Sequence, residues 1–274
     1  MPGAWINGRR GTALDCRDRG LQYGDGLFET MRVRRRALRL LEYHLERLYA
    51  GCRRLAIAGP RPDRLRRELE GIASRRREGV LKLIVTRGSG PRGYRPSGRE
   101  HCTRIVTLHA LPSAAPGALP GPARVRQCAT RIGVNPGLAG LKTLGRLESV
   151  MARSEWRDSR IWEGLMRDAD ENIVCGTMSN LFLRRGSTLM TPVLDRCGVA
   201  GVMRRWVMET AARLQLTAVE RRIRWQHLAR AEEVFMTNAV AGVRSVGAIE
   251  RGRERLRFSK FETADELRTR LSVL

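Results

Sequence analysis

Lys142 is the first residue whose type and position suggest chemistry. It lies in residues 140–144, after an Asn-Pro-Gly turn and before an apolar stretch with helical spacing. At the edge of an apolar cleft, desolvation disfavours the ammonium form, so a neutral amine becomes available for imine formation. The 52 Lys and Arg residues include only three lysines, Lys82, Lys142 and Lys260. A reaction that needs a primary amine therefore has three candidates, although Lys142 by its position alone also fits an ordinary solvated lysine.

Two further features could bind an anion. The apolar residues of 40–55 recur at helical spacing and place His44 and Arg47 beside their stripe, where a guanidinium can bind a phosphate or carboxylate through two N–H groups. Residues 197–204 form a glycine-bearing turn into a helix, whose free N–H groups and dipole favour negative charge. Each feature also has a simpler interpretation, as a solvated helix flank and as a plain connection.

The loop at residues 87–94 combines glycines with Arg92 and Tyr94. A flexible backbone that carries a guanidinium and a phenol is suited to holding a substrate carboxylate. A long surface hairpin loop is the alternative interpretation. Residues 178–182 and 237–239 are short polar segments beside predicted strands, and either could simply end a strand.

The elements that must position these residues fall into two parts. Residues 111–122, LPSAAPGALPGP, have no charge and no periodicity and predict a linker. The linker separates a small domain, 1–110, from a larger one, 123–274, which carries Lys142. In the small domain, Asn7-Gly8 predicts a hairpin. The other elements predicted there are strands at 27–33, 80–87 and 104–110 and a helix at 41–55.

The larger domain shows strands in clusters. Predicted strands are 125–132, 164–166, 173–175, 180–184, 218–223 and 234–237, and predicted helices are 143–156, one that begins near 201, and 264–271. Strict alternation of strands and helices, which a doubly wound parallel sheet requires, is not found. We therefore expect an α+β protein of two lobes with a cleft between them.

Composition limits the function classes. Apolar residues make up 42% of the 274 residues, enough for a folded core, and the formal charge is +24. The basic residues are scattered and almost all arginine, which fits a codon bias better than a nucleic-acid surface, although the positive field would attract small anions. No apolar run reaches the roughly 18 to 20 residues of a membrane span, and the N-terminus lacks the apolar core of a secretory signal. The six cysteines show no disulfide or metal spacing, so we expect a cytoplasmic protein without a metal site.

Taken in order, the segments resemble the fold-type IV pyridoxal-phosphate enzymes, which include branched-chain and D-amino-acid aminotransferases and aminodeoxychorismate lyases. The resemblance covers nearly the whole chain. Its markers are residues 23–30 (YGDGLFET), His44-x-x-Arg47-Leu48, Lys142, residues 176–182 (GTMSNLF), residues 201–204 (GVMR) and residues 237–239 (TNA). It implies a D-amino-acid aminotransferase-like architecture.

The resemblance also implies roles for individual residues. Lys142 would hold pyridoxal 5'-phosphate covalently and transfer protons, and Arg47 would pair with its phosphate. The backbone N–H groups of Val202 and Met203, with the turn at Asn238 and Ala239, would complete the phosphate site. A homodimer is implied as well, with the loop that carries Arg92 near the neighbouring subunit's active site.

Three segments are most similar to the lyases of this superfamily. Residues 141–148 (LKTLGRLE) are similar to the lyases' L-K-x-L-N-R-L-E segment, Thr30 stands where branched-chain enzymes have glycine, and residues 87–94 (RGSGPRGY) are close to the lyases' R-G-x-G-x-R-G-Y loop. This resemblance implies conversion of 4-amino-4-deoxychorismate to 4-aminobenzoate and pyruvate, a step toward folate. Thr30 would lie near the bond between cofactor and substrate, and Arg92 and Tyr94 would bind the substrate carboxylates.

Two positions depart from the family pattern. Cys175 stands where the family has a glutamate that pairs with the pyridine nitrogen, and Gly145 stands where an asparagine is usual. A thiol is a poor substitute for a carboxylate, so we expect a weaker electron sink, which affects transamination more than a reaction driven by aromatisation. The alternatives are an aminotransferase for D-amino or branched-chain amino acids and, from another class, a nucleic-acid-binding protein without catalysis.

Overall fold

The computed structural model describes residues 3–111 and 121–274. Backbone contacts divide the chain into two compact units, Met1–Pro112 with Leu141–Gly145, and Ser113–Gly140 with Arg146–Leu274. The sequence places Lys142 in the larger domain, whereas its contacts group it with the first unit. Most of the predicted linker, residues 112–120, lies outside the described residues.

The first unit is built on an antiparallel sheet. Its strands are β1 (Gly3–Ile6), β2 (Arg9–Arg10), β3 (Gly26–Arg34), β4 (Ala37–Leu38), β5 (Glu78–Thr86) and β6 (Thr103–His109), and its helices are α1 (Arg19–Tyr23), α2 (Leu41–Arg54) and α3 (Pro62–Ala73). The strand order within the described residues is β2-β1-β6-β5-β3-β4. The predicted hairpin is present: Asn7 and Gly8 both have positive φ, 52° and 87°, as a tight turn between β1 and β2 requires.

One face of this sheet forms the core of the unit. Side chains alternate along β3, so Leu27, Met31 and Val33 are buried, while Phe28 and Thr30 on the other face are half-buried. The buried face packs under α2 and α3, which contribute Leu45 and Leu48 and the helically spaced Leu65, Leu69 and Ile72. Each such side chain stabilises the fold by about 1.5–3 kcal/mol relative to an exposed position.

The second unit holds a longer mixed sheet. Its strands are β7 (Ala123–Arg131), β8 (Ile161–Arg167), β9 (Ile173–Gly176), β10 (Asn180–Arg185), β11 (Thr188–Pro192), β12 (Thr217–Arg221), β13 (Glu233–Asn238), β14 (Gly242–Arg251) and β15 (Glu254–Arg257). Its helices are α4 (Leu147–Arg153), α5 (Val202–Ala211), α6 (Trp225–Ala229) and α7 (Glu262–Ser272). The strand order is β12-β11-β10-β13-β14-β7-β8-β9, with β15 paired to β14. Most pairs are antiparallel, and β7–β8, β7–β14 and β11–β12 are parallel.

The core of this unit lies between the sheet and its helices. Phe182 of β10 and Phe235 of β13 stack with their ring centroids 5.1 Å apart, and both rings are buried. The α+β expectation is correct, but the helix predicted at 143–156 is limited to α4. The sequence analysis also did not predict the helices α1, α3 and α6 or the strands β4, β11, β14 and β15.

No helix in the described parts of the chain is both long and apolar enough to cross a membrane. The six cysteines are free thiols, four of them buried.

Candidate active site

Lys142 is held beside the start of β3 by backbone pairing. The N–H of Phe28 donates to the Lys142 carbonyl at 3.0 Å, and the N–H of Leu144 donates to the Gly26 carbonyl at 3.0 Å. Thr143 forms an isolated bridge with Leu27. These contacts explain why residues 143–146 do not extend α4: their backbone groups pair with a strand instead of with the next turn of a helix.

The Lys142 side chain is half-buried, and its Nζ lies 4.1 Å from the centroid of the Phe28 ring. Thr30, two residues further along β3, is half-buried on the same face of the strand as Phe28. The two residues predicted to be catalytic, Lys142 and Thr30, therefore lie in the same unit. Phe28 contacts Lys142 and lies two residues from Thr30 on the same face of β3.

Glu29 occupies the opposite face of β3 and binds two side chains of α2. Arg47 Nε donates to Glu29 Oε1 at 2.8 Å, and Arg47 Nη2 donates to Oε2. His44 Nδ1 lies 2.6 Å from Glu29 Oε2. Glu29 and His44 are almost fully buried, and the Arg47 side chain is 14% exposed. Arg47, the predicted phosphate ligand, is thus oriented by a buried carboxylate.

The charges of this cluster follow from burial and pairing. Burial raises the pKa of Glu29, but the Arg47 guanidinium and the His44 hydrogen bond outweigh burial and lower this pKa to about 2. Burial lowers the pKa of His44 despite the hydrogen bond with Glu29, and the charge of Lys142 adds to the effect. A neutral imidazole beside an ionised carboxylate must donate through Nδ1–H, because the carboxylate can only accept. His44 Nε2 is then buried, with no hydrogen-bond partner in the part of the chain that the structure describes.

Arg92 and Tyr94, the predicted carboxylate ligands, lie on an exposed loop with an ordered backbone. The buried Arg19 donates to the carbonyls of Gly93 and Tyr94 at 2.8 and 2.7 Å. The Tyr94 side chain is 86% exposed and its ring centroid is 5.4 Å from that of Tyr23. Arg92 borders an open cavity of about 730 Å³ in the first unit. The loop backbone is anchored, therefore, while the two side chains remain accessible.

In the second unit, the start of α5 has the features of an anion site. Its N-cap residue, Gly201, has no side chain to accept hydrogen bonds from the first turn, which contains Val202 and Met203. A Cβ at Gly201 would lie 2.1 Å from Asn180 Oδ1, so the close approach requires glycine. Asn180 Nδ2 donates to the Val199 carbonyl at 2.9 Å and holds the turn before the helix.

The end of β13 lies beside this helix start. Asn180 pairs with Thr237 across the β10–β13 ladder. Thr237 is 1% exposed, and its buried Oγ1 has no hydrogen-bond partner within residues 3–111 and 121–274. Asn238 Oδ1 accepts from the N–H groups of Val240 and Ala241 at 3.0 and 2.7 Å and thereby fixes the turn that contains Ala239. The structure brings together the predicted segments of Val202, Met203, Asn238 and Ala239 through Asn180.

Cys175, on β9, is buried in an apolar cluster with Cys128, Trp156 and Met166. Burial raises the pKa of its thiol to about 12, and the charge of Glu163 adds to this effect. Cys175 is therefore a neutral thiol at physiological pH.

Glu163 of β8 is a buried residue that the sequence reading missed. Its carboxylate accepts hydrogen bonds from Ser179 Oγ at 2.7 Å and from the N–H groups of Thr177 and Met178 at 3.1 and 3.2 Å. It thus holds the turn between β9 and β10 that leads to Asn180. The signal that could have identified it is an acidic residue within an otherwise apolar strand, since a buried carboxylate needs fixed donors.

Comparison with known proteins shows the family to which the chain belongs. The model of the family described as amino-transferase class IV matches residues 26–249. The aminodeoxychorismate lyase of Vibrio harveyi is 32% identical over 93% of this chain and 94% of its own. The crystal structure of 4-amino-4-deoxychorismate lyase from Pseudomonas aeruginosa is similar with a TM-score of 0.89 and 42% identity over 98% of both chains. A putative branched-chain-amino-acid aminotransferase of Methanocaldococcus jannaschii is 27% identical over 90% of this chain and 87% of its own. The fold-type IV expectation is confirmed, and the chain belongs to the class IV aminotransferase family.

Proposed function

We propose that this protein is a pyridoxal-phosphate-dependent lyase that converts 4-amino-4-deoxychorismate to 4-aminobenzoate and pyruvate, a step of folate biosynthesis. The observation that carries the proposal is the similarity to two lyases of this name, at 32% and 42% identity, over nearly the full length of the chain. The anchored Lys142 supports it, because the reaction needs a primary amine in a fixed position.

The residues present fit the cofactor. A phosphate dianion suits the start of α5, where Val202 and Met203 begin a helix whose cap has no side chain. The buried Thr237 hydroxyl, which has no hydrogen-bond partner among the described residues, supplies a further donor. We assign Arg47 and the turn of Asn238 and Ala239 to the same phosphate, and Lys142 to the covalent bond.

Lys142 has two tasks in the proposed reaction. Pyridoxal phosphate, when bound, supplies a carbonyl carbon that bonds to amines and a ring that withdraws electrons from the adjacent carbon. The neutral Lys142 Nζ would accept the proton from the ring carbon that carries the substrate amine. The carbon–oxygen bond to the enolpyruvyl group then breaks, the six-membered ring becomes aromatic, and the departing enolpyruvate takes up a proton to become pyruvate. Thr30 is assigned to the region of the reacting amine, and Arg92 and Tyr94 to the substrate carboxylates.

The direct test is an assay without any keto acid. The holoenzyme is incubated with 4-amino-4-deoxychorismate, and 4-aminobenzoate and pyruvate are quantified. Equal amounts of both products are expected. Failure to form either product while the cofactor is bound would contradict the lyase.

An aminotransferase for D-amino or branched-chain amino acids is the second candidate, because the relatives include a putative branched-chain enzyme and D-alanine aminotransferases. It would use Lys142 in the same way but requires a keto-acid acceptor. Turnover that depends on added 2-oxoglutarate would support it over the lyase.

Cys175 leads to a prediction about the cofactor ring. We assign it to the position that faces the pyridine nitrogen, where a neutral thiol cannot retain a proton on that nitrogen as a carboxylate can. Cys175→Glu is expected to shift the cofactor absorbance band. It should also raise the ratio of the transamination rate with an added amino acid to the rate of 4-aminobenzoate formation. The expected increase is about tenfold, the factor that corresponds to one unit of pKa.

The matched control is Cys197→Ala, which alters another buried thiol of the same cluster. Circular dichroism establishes that the Cys175→Glu protein is folded. A folded variant with unchanged absorbance and an unchanged ratio of the two reactions would contradict the assignment of Cys175 to the ring.

We further propose that the protein is a cytoplasmic homodimer. Free cysteines fit a reducing compartment. On α4, Leu147, Val150 and Met151 are 76%, 58% and 61% exposed at i, i+3 and i+4, which is an apolar stripe suited to contact with a second copy.

Placing a charge in this stripe is expected to separate the subunits. Val150→Asp should reduce the mass measured by light scattering from two chains to one, because a carboxylate buried in an apolar interface is strongly unfavourable. Thr269→Asp, which adds the same charge at an exposed position on α7, should remain dimeric. A wild-type monomer, or a Val150→Asp dimer of unchanged affinity, would contradict this prediction.

A further inference from the structure

Two runs of three consecutive arginines occur in the sequence, at residues 34–36 and residues 75–77. The first run ends β3 and forms the turn to β4, and the second lies between α3 and β5. The N–H of Arg36 donates to the Arg77 carbonyl at 3.2 Å, and Arg36 Nη1 donates to the Ser74 carbonyl at 3.0 Å. The fold thus brings both runs together on one surface of the first unit, which we call the arginine surface.

The positive charge of the arginine surface is not neutralised. Five of its six side chains are exposed, and Arg34 is half-buried. In the part of the chain that the structure describes, none of the six guanidiniums forms an ion pair with a carboxylate. Glu78, which lies opposite Arg34 in the β3–β5 ladder, is already paired with Arg32 at 2.5 Å. Burial and the charges of Arg32 and Arg34 lower the pKa of Arg39 to about 10, as expected beside an excess of positive charge.

Arginine doublets elsewhere in the chain are arranged differently. The doublets at residues 66–67, 204–205 and 221–222 each contain an arginine whose guanidinium lies within 2.7 Å of a carboxylate oxygen. A bias toward arginine codons explains a high content of arginine. It gives no reason for the two longest arginine runs of the chain to share one surface without a carboxylate partner.

The turn between β3 and β4 contains arginines despite its backbone conformation. It is a two-residue hairpin loop in which Arg35 and Arg36 both have positive φ, 51° and 70°. Such a loop favours Asn-Gly, which the chain has at Asn7-Gly8 between β1 and β2. Arginine in this conformation costs folding free energy, and residues that oppose the local backbone preference concentrate at functional sites.

The composition of the arginine surface fits a ligand made of phosphate groups. A guanidinium binds a phosphate through two parallel N–H groups. A protein partner is usually held by apolar or aromatic anchors, but the exposed large apolar side chains of the first unit lie on α1 and on the loop at residues 87–94. Trp5, whose ring centroid lies 5.9 Å from Arg75 Cζ, is buried, so its face is not available to stack on a base.

We infer that the arginine surface binds a chain of phosphate groups, as in the backbone of a nucleic-acid duplex or in inorganic polyphosphate. Contacts to phosphates carry no sequence information, so binding is expected to be independent of base sequence and sensitive to salt. The inference does not depend on the proposed function, because none of the six arginines is assigned to the cofactor or to the substrate.

The test uses a variant that removes charge and also relieves the turn. Arg35→Asn/Arg36→Gly gives the loop its favoured sequence, so this protein should unfold at the wild-type temperature or above it. The control, Arg213→Gln/Arg253→Gln, removes the same charge from exposed positions of the second unit. Binding of each holoenzyme to a short labelled DNA duplex is measured by fluorescence anisotropy over a range of salt concentrations, and saturating cofactor keeps its own phosphate site occupied.

The turn variant is expected to bind the duplex at least about tenfold more weakly than wild type at low salt. The slope of the logarithm of the binding constant against the logarithm of salt concentration should decrease in magnitude by about 2, about one for each lost phosphate contact. The control should keep the wild-type slope. Formation of 4-aminobenzoate should be the same in both variants as in wild type.

Equal losses of affinity and slope in the two variants would show that only net charge matters and would overturn the inference. Polyglutamate of matched charge that binds wild type as tightly as the duplex would also overturn it, because the surface would not then select phosphate. Inorganic polyphosphate is the second phosphate probe. If it binds, the duplex does not, and the turn variant alone loses it, the inference stands and the ligand is polyphosphate. Absence of binding to both phosphate probes would overturn the inference.

Discussion

Replacement of Lys142 by alanine is expected to abolish formation of 4-aminobenzoate and pyruvate together, with a loss of at least about a thousandfold in kcat. The side chain is assigned both the covalent attachment of the cofactor and the proton transfer, and a positioned general base alone contributes about 10² to 10⁴. The absorbance band of cofactor bound through lysine should disappear as well. The backbone of residue 142 pairs with β3 through its carbonyl, so removal of the side chain leaves the anchoring hydrogen bond in place.

The control for this experiment is Lys260→Ala, which removes an exposed lysine that pairs with Glu232. It should retain the wild-type rate and spectrum. Added methylamine should restore part of the lost rate to the Lys142 variant, because a small amine can occupy the vacated space and accept the proton. Retention of more than about a tenth of wild-type activity in Lys142→Ala would exclude this lysine as the reacting amine.

Helical periodicity and short motifs were sufficient to predict several elements of this protein from the sequence. The spacing of apolar residues in 41–55 predicted α2, and hence that His44 and Arg47 lie near one another on a helix. The glycine-bearing turn before residue 202 predicted the start of α5. These are local signals, and they succeed because capping and amphipathicity are properties of a few consecutive residues.

The sequence did not show which elements pack against one another. Glu29 contacts His44 and Arg47, which follow it by 15 and 18 residues, and the contact depends on which face of β3 turns toward α2. The prediction that a helix begins at residue 143 was wrong for a related reason. Thr143 pairs with Leu27, which is distant in sequence, and this pairing overrides the local helix propensity. By contrast α3 could have been found, because Pro62 begins it and Leu65, Leu69 and Ile72 follow at helical spacing.

Loss of Glu29 is expected to have the largest effect on stability. Glu29→Ala should lower the free energy of unfolding by about 3–5 kcal/mol, because it leaves the Arg47 guanidinium and the buried His44 without their common partner. Denaturant unfolding of the holoenzyme, followed by circular dichroism at saturating cofactor, measures the change and keeps weaker cofactor binding from contributing to it.

The matched control is Glu42→Ala on α2, the helix that carries His44 and Arg47. Glu42 is 62% exposed and pairs with Arg66 at 2.5 Å. An exposed ion pair is worth about 0–1 kcal/mol, so this variant should unfold near the wild-type midpoint. Equal decreases in the free energy of unfolding for the two variants would show that the buried ion pair of Glu29 stabilises the protein no more than an exposed one.

The pH dependence of unfolding gives an independent check of the same cluster. The pKa of Glu29 is lowered from 4.5 to about 2, so its contribution is fully present above pH 4.5 and is lost as the pH falls toward about 2. The pKa of His44 is lowered from 6.5, so the unfolded chain takes up a proton there before the folded protein does, and stability begins to fall below about pH 6.5. Both contributions decrease in the acid direction. The Glu29 contribution is missing from Glu29→Gln, so the difference in unfolding free energy between wild type and this variant should be constant above about pH 7 and shrink as the pH falls from 4.5 toward about 2. A difference that persists unchanged to pH 3 would mean that Arg47 and His44 do not lower the pKa of Glu29 in the folded protein.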